Sequence, residues 1–161
     1  MAIINNMERT LILLKPDALQ RNLLGEIISR FEKKGLKIIA LKMMRLNDEI
    51  LKEHYSHHID KPFFKKLVNF MESGPVIAMV LEGVEAIEAV RIICGPTLGR
   101  KADAGSIRGD YCMSQQQNII HASDSLENAE KEIWRFFSQD EIFNYQKIDF
   151  SAVYTDEELE K

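Results

Sequence analysis

The sequence is poor in cysteine, glycine and proline. Its two cysteines, Cys94 and Cys112, form no CxxC pair and no disulfide framework, which favours a reducing cytosol. The 8 glycines and 4 prolines are few for 161 residues, and 45% of the residues are apolar, so a disordered or fibrous chain is excluded. The length fits one domain with its own hydrophobic core.

The chain also lacks a long hydrophobic run and an excess of positive charge. No stretch of about 18 apolar residues occurs, so we expect no membrane-spanning helix and no membrane partner. The amino terminus lacks the basic and then apolar pattern of a signal peptide, so a cytoplasmic location is expected. The 25 acidic residues outnumber the 21 lysines and arginines, for a formal charge of −4. This balance gives no general attraction to nucleic acid.

Apolar patterns predict four strands and several helices. The predicted strands are Thr10–Leu14, Leu36–Met44, Val76–Leu81 and Asn118–His121. Helical periodicity covers Leu24–Lys34, Val84–Cys94 and Ser125–Phe137, with further helices after Asn47 and after Pro62. The order of these elements predicts an α+β fold: a ferredoxin-like α/β sandwich with an antiparallel or mixed sheet of four strands and surrounding helices.

A histidine ends the last predicted strand. The segment Asn118–Ser125 is an apolar run that ends in His121 and continues into small polar residues and a helical pattern. A scaffold would hold His121 there while a ligand still reaches it, so His121 is a candidate nucleophile that carries a phosphoryl group. Glu132, on the following helix, could accept a hydrogen bond from the other ring nitrogen and fix the tautomer. A half-buried structural histidine is the commoner outcome for such a residue taken alone.

Several polar residues could form a phosphate pocket beside this histidine. The candidates are Lys15, Arg91, Thr97 and Arg108. Arginine offers paired donors and lysine a mobile point charge, which together suit a polyphosphate. The chain has no GxxxxGK[ST] loop, so side chains would have to bind the phosphates. Taken singly, each of these charges is more commonly solvated.

The histidine cluster and one phenylalanine each allow two interpretations. His54 and His58 are four residues apart and could hold a metal on one helix face. HExxH is absent, however, and paired surface histidines are commoner, so no metal site is predicted. Phe63 falls off the apolar stripe of its predicted helix and could be a stacking platform or a packed loop residue. The pattern alone favours the packed residue.

A set of motifs resembles those of nucleoside diphosphate kinases. The motifs are Lys15-Pro16-Asp17, Arg21–Glu32, His54-Tyr55, Pro62-Phe63-Phe64, Ser73-Gly74-Pro75, Ile107–Asp110 and Asn118–Ser125. They occur in the family's order and spacing over residues 8–137. The resemblance implies a single domain of residues 1–161, with residues 138–161 as a C-terminal extension.

The resemblance implies a ping-pong reaction on a ferredoxin-like core. A nucleoside triphosphate, typically ATP, would phosphorylate His121, and the phosphohistidine would pass the group to a nucleoside diphosphate. Glu132 would hydrogen-bond the ring nitrogen of His121 that is not phosphorylated, and Phe63 would stack on the base. Carried over by position, the residues around the phosphates and ribose would be Lys15, Tyr55, Arg91, Thr97, Arg108 and Asn118. Mg²⁺ would be bound through the nucleotide phosphates, without a protein cage.

Three segments depart from the family's usual pattern. Thr97-Leu98-Gly99 stands where Thr-Asn-Pro is usual, and Ala104-Gly105-Ser106 stands where Pro-Gly-Thr is usual, so this loop should be less rigid. Gln115-Gln116-Gln117 replaces a Val-Gly-Arg-like run, and Gln115 could hydrogen-bond a base edge. Family members form tetramers or hexamers, and the C-terminal extension favours a homohexamer.

Two other classes of function are alternatives. The chain could be a family-like scaffold with weak catalysis that serves as a binding partner, but its retained residues argue against this: Lys15, Arg91, Arg108, Asn118 and His121. It could instead bind single-stranded nucleic acid. The charge of −4 and the lack of an aromatic and basic stripe argue against that role.

Overall fold

Four antiparallel strands form the single sheet of the computed structural model, which describes residues 7–159. The strands are β1 (Met7–Leu14), β2 (Lys37–Met44), β3 (Val76–Val84) and β4 (Ile120–Ala122). Their order across the sheet is β2-β3-β1-β4, and each neighbouring pair is antiparallel. The predicted four-stranded antiparallel sheet is therefore confirmed. The last strand begins two residues later than predicted, after Ile119 adopts a positive φ of 58°.

The helices surround this sheet. They are α1 (Pro16–Gln20), α2 (Leu24–Lys34), α3 (Asp48–His54), α4 (Phe64–Glu72), α5 (Ala86–Cys94), α6 (Ile107–Tyr111), α7 (Leu126–Phe136), α8 (Phe150–Val153) and α9 (Asp156–Leu159). The helix predicted after Asn47 was expected to carry His54, Tyr55, His57 and His58, but the observed helix α3 is shorter. It ends at His54, and His57 and His58 lie in a separate 3-10 turn, Ser56–His58. Within residues 7–159, no helix has the length and apolar character needed to cross a membrane.

The central strand β1 is buried on both faces. Leu11 and Leu13 pack into a cluster with residues of α3, α4 and α7, whereas Ile12 and Leu14 pack with residues of α2 and α5. A strand with two buried faces needs a continuous apolar run rather than an alternating one, which is the pattern that the sequence shows. The carboxyl end of β1 is therefore held firmly, and Lys15 follows it directly.

Side-chain caps fix where the helices next to the site begin. The Ser125 hydroxyl accepts a hydrogen bond from the Asn128 amide at 3.2 Å, at the start of α7. The Ser106 hydroxyl accepts one from the Gly109 amide at 3.0 Å, at the start of α6. Such caps satisfy helix amides that have no partner within the helix. The Ser125 cap sets the position of α7, and hence of Glu132, relative to β4.

The C-terminal segment lies along part of the free edge of β2. The Phe143 amide donates to the Ile39 carbonyl at 2.8 Å, and the Tyr145 hydroxyl donates to the Ile38 carbonyl at 2.7 Å. The second half of the same strand exposes apolar side chains, with Leu41 50% and Met43 60% exposed. The segment thus covers the first half of an edge strand and leaves the second half open.

Candidate active site

One cavity of about 920 Å³ collects the predicted site residues. It is lined by Lys15, Tyr55, Phe63, Arg91, Thr97, Arg108, Asn118, His121 and Glu132, among others. These nine residues come from the ends of β1 and α3, from β4, α5, α6 and α7, and from the loops between them. The fold therefore brings together residues that are more than a hundred positions apart in the chain.

His121 lies on the short strand β4, where it pairs with Leu13 of β1. Its ring atom Nε2 is 3.1 Å from Glu132 Oε2 and 3.2 Å from Oε1. Because an ionised carboxylate can only accept, the proton of the neutral imidazole lies on Nε2, and the lone pair lies on Nδ1. The side chain is 22% exposed, so it is held by the scaffold but remains open to the cavity. Nδ1 is therefore the ring nitrogen whose lone pair is available to a ligand.

Glu132 is kept ionised by its hydrogen bonds. Burial raises the pKa of Glu132, but the hydrogen bonds from His121 and from Ser123 outweigh it, so the pKa lies below its ordinary value. The Ser123 hydroxyl donates to Glu132 Oε2 at 2.6 Å. Ser123 and His121 are two residues apart, at the spacing that places side chains on one side of an extended chain. The segment Asn118–Ser125 thus supplies both the ring and the group that holds its partner.

Lys15 and Asn118 form a buried pair at the base of the cavity. The Lys15 ammonium donates to Asn118 Oδ1 at 2.7 Å. The Asn118 amide nitrogen donates to the Gln115 carbonyl at 2.6 Å and to the Thr97 carbonyl at 3.2 Å. Burial, followed by the positive charge of Arg108, lowers the pKa of Lys15 to about 8. Asn118 therefore ties the end of β1 to two loops.

Arg108 braces the backbone of the site. Its guanidinium donates to the carbonyls of Gly95 at 2.7 Å, Ile120 at 2.5 Å and Asn118 at 3.4 Å. Since a guanidinium has five N–H donors, two remain for a ligand in the cavity. The sequence predicted the charge of Arg108 but gave no sign of this bracing role.

The remaining predicted residues differ in exposure. Phe63 is 44% exposed, and its ring packs against His58 with 5.1 Å between the centroids. This exposed face suits a stacking platform better than a packed loop residue. Tyr55 is buried, and its hydroxyl has no hydrogen-bond partner in the described part of the chain. Arg91 and Thr97 are exposed at the rim.

Sequence reasoning did not predict His54, Ser123 or Arg135 as part of the site. The ring of His54 lies edge to face with that of His121, with 4.6 Å between the centroids. Arg135 of α7 contacts His54 Nδ1 at 3.3 Å. Ser123 could have been found from its strand spacing to His121. His54 could not, because its place beside His121 arises only when α3 packs against α7.

The histidines provide a poor site for a resident Mg²⁺ ion. His54, His121 and Glu132 place three potential ligand atoms within 4.8 Å of one another. Mg²⁺ prefers six oxygen ligands, however, and two of these three groups are imidazoles. The Arg135 guanidinium also occupies His54 Nδ1. His54 and His58, which their spacing suggested as two possible metal ligands, do not form a pair. His54 packs on His121, and His58 packs on Phe63.

Comparisons with known proteins agree on one family. Residues 8–142 match the family model for nucleoside diphosphate kinase. A nucleoside diphosphate kinase from Parabacteroides distasonis is 53% identical over 95% of this chain and 100% of its own length. One from Staphylothermus marinus is 59% identical over 87% of this chain and 99% of its own. The solved structure of a halophilic nucleoside diphosphate kinase from Halobacterium salinarum in complex with CDP superposes with a TM-score of 0.89, at 46% identity over 91% of this chain and 98% of that one.

Proposed function

The chain belongs to the nucleoside diphosphate kinase family, and we propose that His121 is the residue phosphorylated in its reaction. The enzyme transfers the γ-phosphoryl group of a nucleoside triphosphate, typically ATP, to a nucleoside diphosphate. It does so by a ping-pong mechanism with a phosphohistidine intermediate, and Mg²⁺ is bound through the nucleotide phosphates. The observation that carries the proposal is the contact of Glu132 with Nε2 of His121, which leaves Nδ1 free in the cavity.

In the first half-reaction, the Nδ1 lone pair of His121 forms a bond to the γ-phosphorus. The bond from that phosphorus to the bridging oxygen breaks, and the diphosphate leaves with the electron pair and the oxygen. The proton on Nε2 stays in its hydrogen bond to Glu132, whose negative charge stabilises the positive charge that develops on the ring. In the second half-reaction, a terminal oxygen of another nucleoside diphosphate attacks the phosphohistidine, and His121 regains its lone pair.

The other predicted residues would hold the nucleotide. Lys15 supplies a positive charge that Asn118 holds in place, and Arg108 has two donors for phosphate oxygens that have no partner among residues 7–159. The residues proposed around the phosphates and ribose are Lys15, Tyr55, Arg91, Thr97, Arg108 and Asn118. Phe63 would stack on the base, and because every base has a π face this contact accepts all of them. Catalysis would then rest on positioning and charge stabilisation.

A pulse-chase experiment tests the covalent step. The protein is incubated with γ-labelled ATP and Mg²⁺, and the nucleotide is removed by gel filtration. We expect the label to stay on the protein and to move quantitatively to GDP when GDP is added. If the label reaches GDP only when ATP and GDP are present together, the reaction is not ping-pong at His121.

The lowered pKa of Lys15 predicts how the affinity for ADP depends on pH. A bound phosphate raises the pKa of Lys15 above its value of about 8 in the free protein, so above that pH binding takes up a proton. We therefore expect the affinity for ADP to fall by about tenfold per pH unit above pH 8. Calorimetry between pH 7 and 9.5 measures this, because adenine does not titrate in that range. The Lys15→Met variant should bind more weakly and show a flat profile, and an equal slope in both proteins would rule out Lys15 as the cause.

The position of Gln115 in the cavity predicts a preference among the bases of the acceptor nucleotides. Gln115 lines the cavity, and its backbone is held by the hydrogen bond that its carbonyl accepts from the Asn118 side-chain amide. A hydrogen bond from its amide to one base edge should change kcat/KM by about twofold to tenfold among nucleoside diphosphates. Gln115→Val should make the four values nearly equal. If the wild type and the variant give the same profile, Gln115 does not contact the base.

We also propose that the chain is a single domain of residues 1–161 that forms a cytoplasmic homo-oligomer, with a hexamer favoured over a tetramer. Support for self-association comes from β2, an edge strand whose second half exposes Leu41 and Met43. An exposed edge with apolar side chains is suited to pair with a second copy. The two free, buried cysteines are consistent with a reducing compartment. No observation favours the alternatives of a scaffold or of a nucleic-acid binder.

A further inference from the structure

His54 packs against the ring of His121 but belongs to a different layer of the fold. It is the last residue of α3, and its side chain is 1% exposed. The two imidazole rings meet edge to face, with 4.6 Å between centroids and 81° between planes. The contact joins α3 to β4 directly at the reacting ring.

Helix α7 holds His54 in place. Phe136 packs against its ring, with 5.3 Å between the centroids and 83° between the planes. Arg135 donates to His54 Nδ1 at 3.3 Å, and the same guanidinium lies 2.9 Å from Glu53 Oε1. His54 is therefore held by two consecutive residues of α7.

The contact with Arg135 decides the tautomer of His54. Arginine can only donate, so Nδ1 of His54 must accept, and the proton of the neutral ring lies on Nε2. His54 Nδ1 is 3.8 Å from Glu132 Oε1. Since both atoms carry lone pairs, they form no hydrogen bond with each other. The carboxylate of Glu132 therefore accepts its hydrogen bonds from His121 and Ser123 and not from His54.

We propose that His54 is a positioning residue, which holds the imidazole of His121 in the orientation that presents Nδ1 to the γ-phosphorus. The ring torsion of a histidine is broad, so a single hydrogen bond at Nε2 leaves the ring free to tilt. Glu132 holds one edge of the ring at Nε2, and the ring of His54 packs against it edge to face. Together they restrict both rotation and tilt.

A neutral His54 is a necessary part of this arrangement. Burial, followed by the charge of His121 and of Arg135, lowers the pKa of His54 well below its ordinary value. A proton on Nδ1 would point at Glu132 and compete with His121 for that carboxylate. The same packing that fixes the position of His54 thus also keeps it from taking the partner of His121.

The test compares three variants with the wild type in single-turnover phosphorylation. His54→Leu removes the planar ring and the acceptor for Arg135. His54→Asn keeps an amide oxygen, Oδ1, as many bonds from Cβ as the ring Nδ1, so it can still accept from Arg135. His57→Leu makes the same chemical change at an exposed histidine three residues further along the chain. The phosphoenzyme is measured after rapid quenching at saturating ATP and Mg²⁺, and ADP affinity is measured separately by calorimetry.

We expect His54→Leu to phosphorylate about 10- to 100-fold more slowly, the loss that follows when a reacting group is misplaced by about 1 Å. Its ADP affinity should stay within about twofold, because the His54 side chain is only 1% exposed and packs on the ring of His121. His54→Asn should recover part of the rate, and His57→Leu should match the wild type. If His54→Leu does not fold, His54→Gln, whose amide oxygen lies one bond further from Cβ than Nδ1 does, replaces it in the comparison.

Three results would overturn the positioning role: an unchanged rate in His54→Leu, a rate and an ADP affinity that fall together, or an asparagine variant no faster than the leucine variant. The inference rests on His121 being the phosphorylated residue, and the experiment separates the two claims. If His121 is not the acceptor, the label in the wild type maps to another residue. If only the role of His54 is wrong, His121 is still labelled, and one of the three results above is observed.

Discussion

Replacing His121 by alanine is expected to abolish the phosphoenzyme and to reduce phosphotransfer on the order of 10⁴-fold or more, as for other enzymes that lose a covalent nucleophile. Two other nitrogens of the cavity are already engaged: Lys15 donates to Asn118, and His54 Nδ1 accepts from Arg135. The measurement is incorporation of label from γ-labelled ATP, together with steady-state transfer to GDP. In the wild type the label should be acid-labile and base-stable, as a phosphohistidine is.

The matched control for this change is His57→Ala, which removes an exposed imidazole from the lining of the same cavity. His57 packs on His58 and not on His121, so its loss should leave labelling unchanged. Because His121 is only half-buried, its alanine variant should keep the melting temperature within a few degrees of the wild type. Residual label in a folded His121→Ala protein would identify another acceptor and disprove the mechanism proposed above.

Replacing Arg108 by leucine is expected to lower both stability and activity. The change leaves three backbone carbonyls without the guanidinium that they accept from, those of Gly95, Asn118 and Ile120. An unsatisfied buried acceptor costs about 1–3 kcal/mol, and water from the cavity should reach part of the gap, so we expect a loss of about 3 kcal/mol. For a chain of this length, that corresponds to a decrease in melting temperature of about 6–12 °C.

Arg91→Leu is the matched control, because it removes the same charge from the same cavity. Arg91 is exposed at the rim, so its loss should change the melting temperature by about 2 °C or less. ADP affinity should fall by about tenfold in this variant, the effect of one charge-assisted contact to phosphate. Equal melting temperatures for the two leucine variants would show that the carbonyl contacts of Arg108 contribute little to stability.

The sheet could be predicted from the sequence because the local order of apolar and polar residues in each strand reflects which of its faces are buried. The continuous apolar run of β1 follows from its two buried faces, and the bounds of α2 follow from one apolar stripe that ends at a left-handed glycine, Gly35. Boundaries were wrong where local pattern and tertiary contact differ. The helix predicted through His58 ends at His54, where His54 turns inward onto His121 and His58 packs beneath Phe63.

The nine predicted site residues could be named from motifs, but their arrangement could not. Periodicity placed His121 at the end of a strand and Glu132 on the next helix, so their hydrogen bond was a reasonable expectation from nearby sequence. The pair of Lys15 and Asn118 joins positions 103 residues apart, and no local pattern predicts its buried contact. The bracing role of Arg108 likewise depends on carbonyls whose positions are set by the folded loop.

By itself, the sequence determined the order and type of the main elements, the candidate nucleophile and, through resemblance, the family and its reaction. These follow from short-range periodicity and from motifs of fixed spacing. Only the tertiary structure decided which ring nitrogen of His121 is free, which carbonyls Arg108 satisfies and which side chain packs against the ring of His121. Those are contacts between side chains of distant segments, and they exist only once α3, α7 and β4 have packed together.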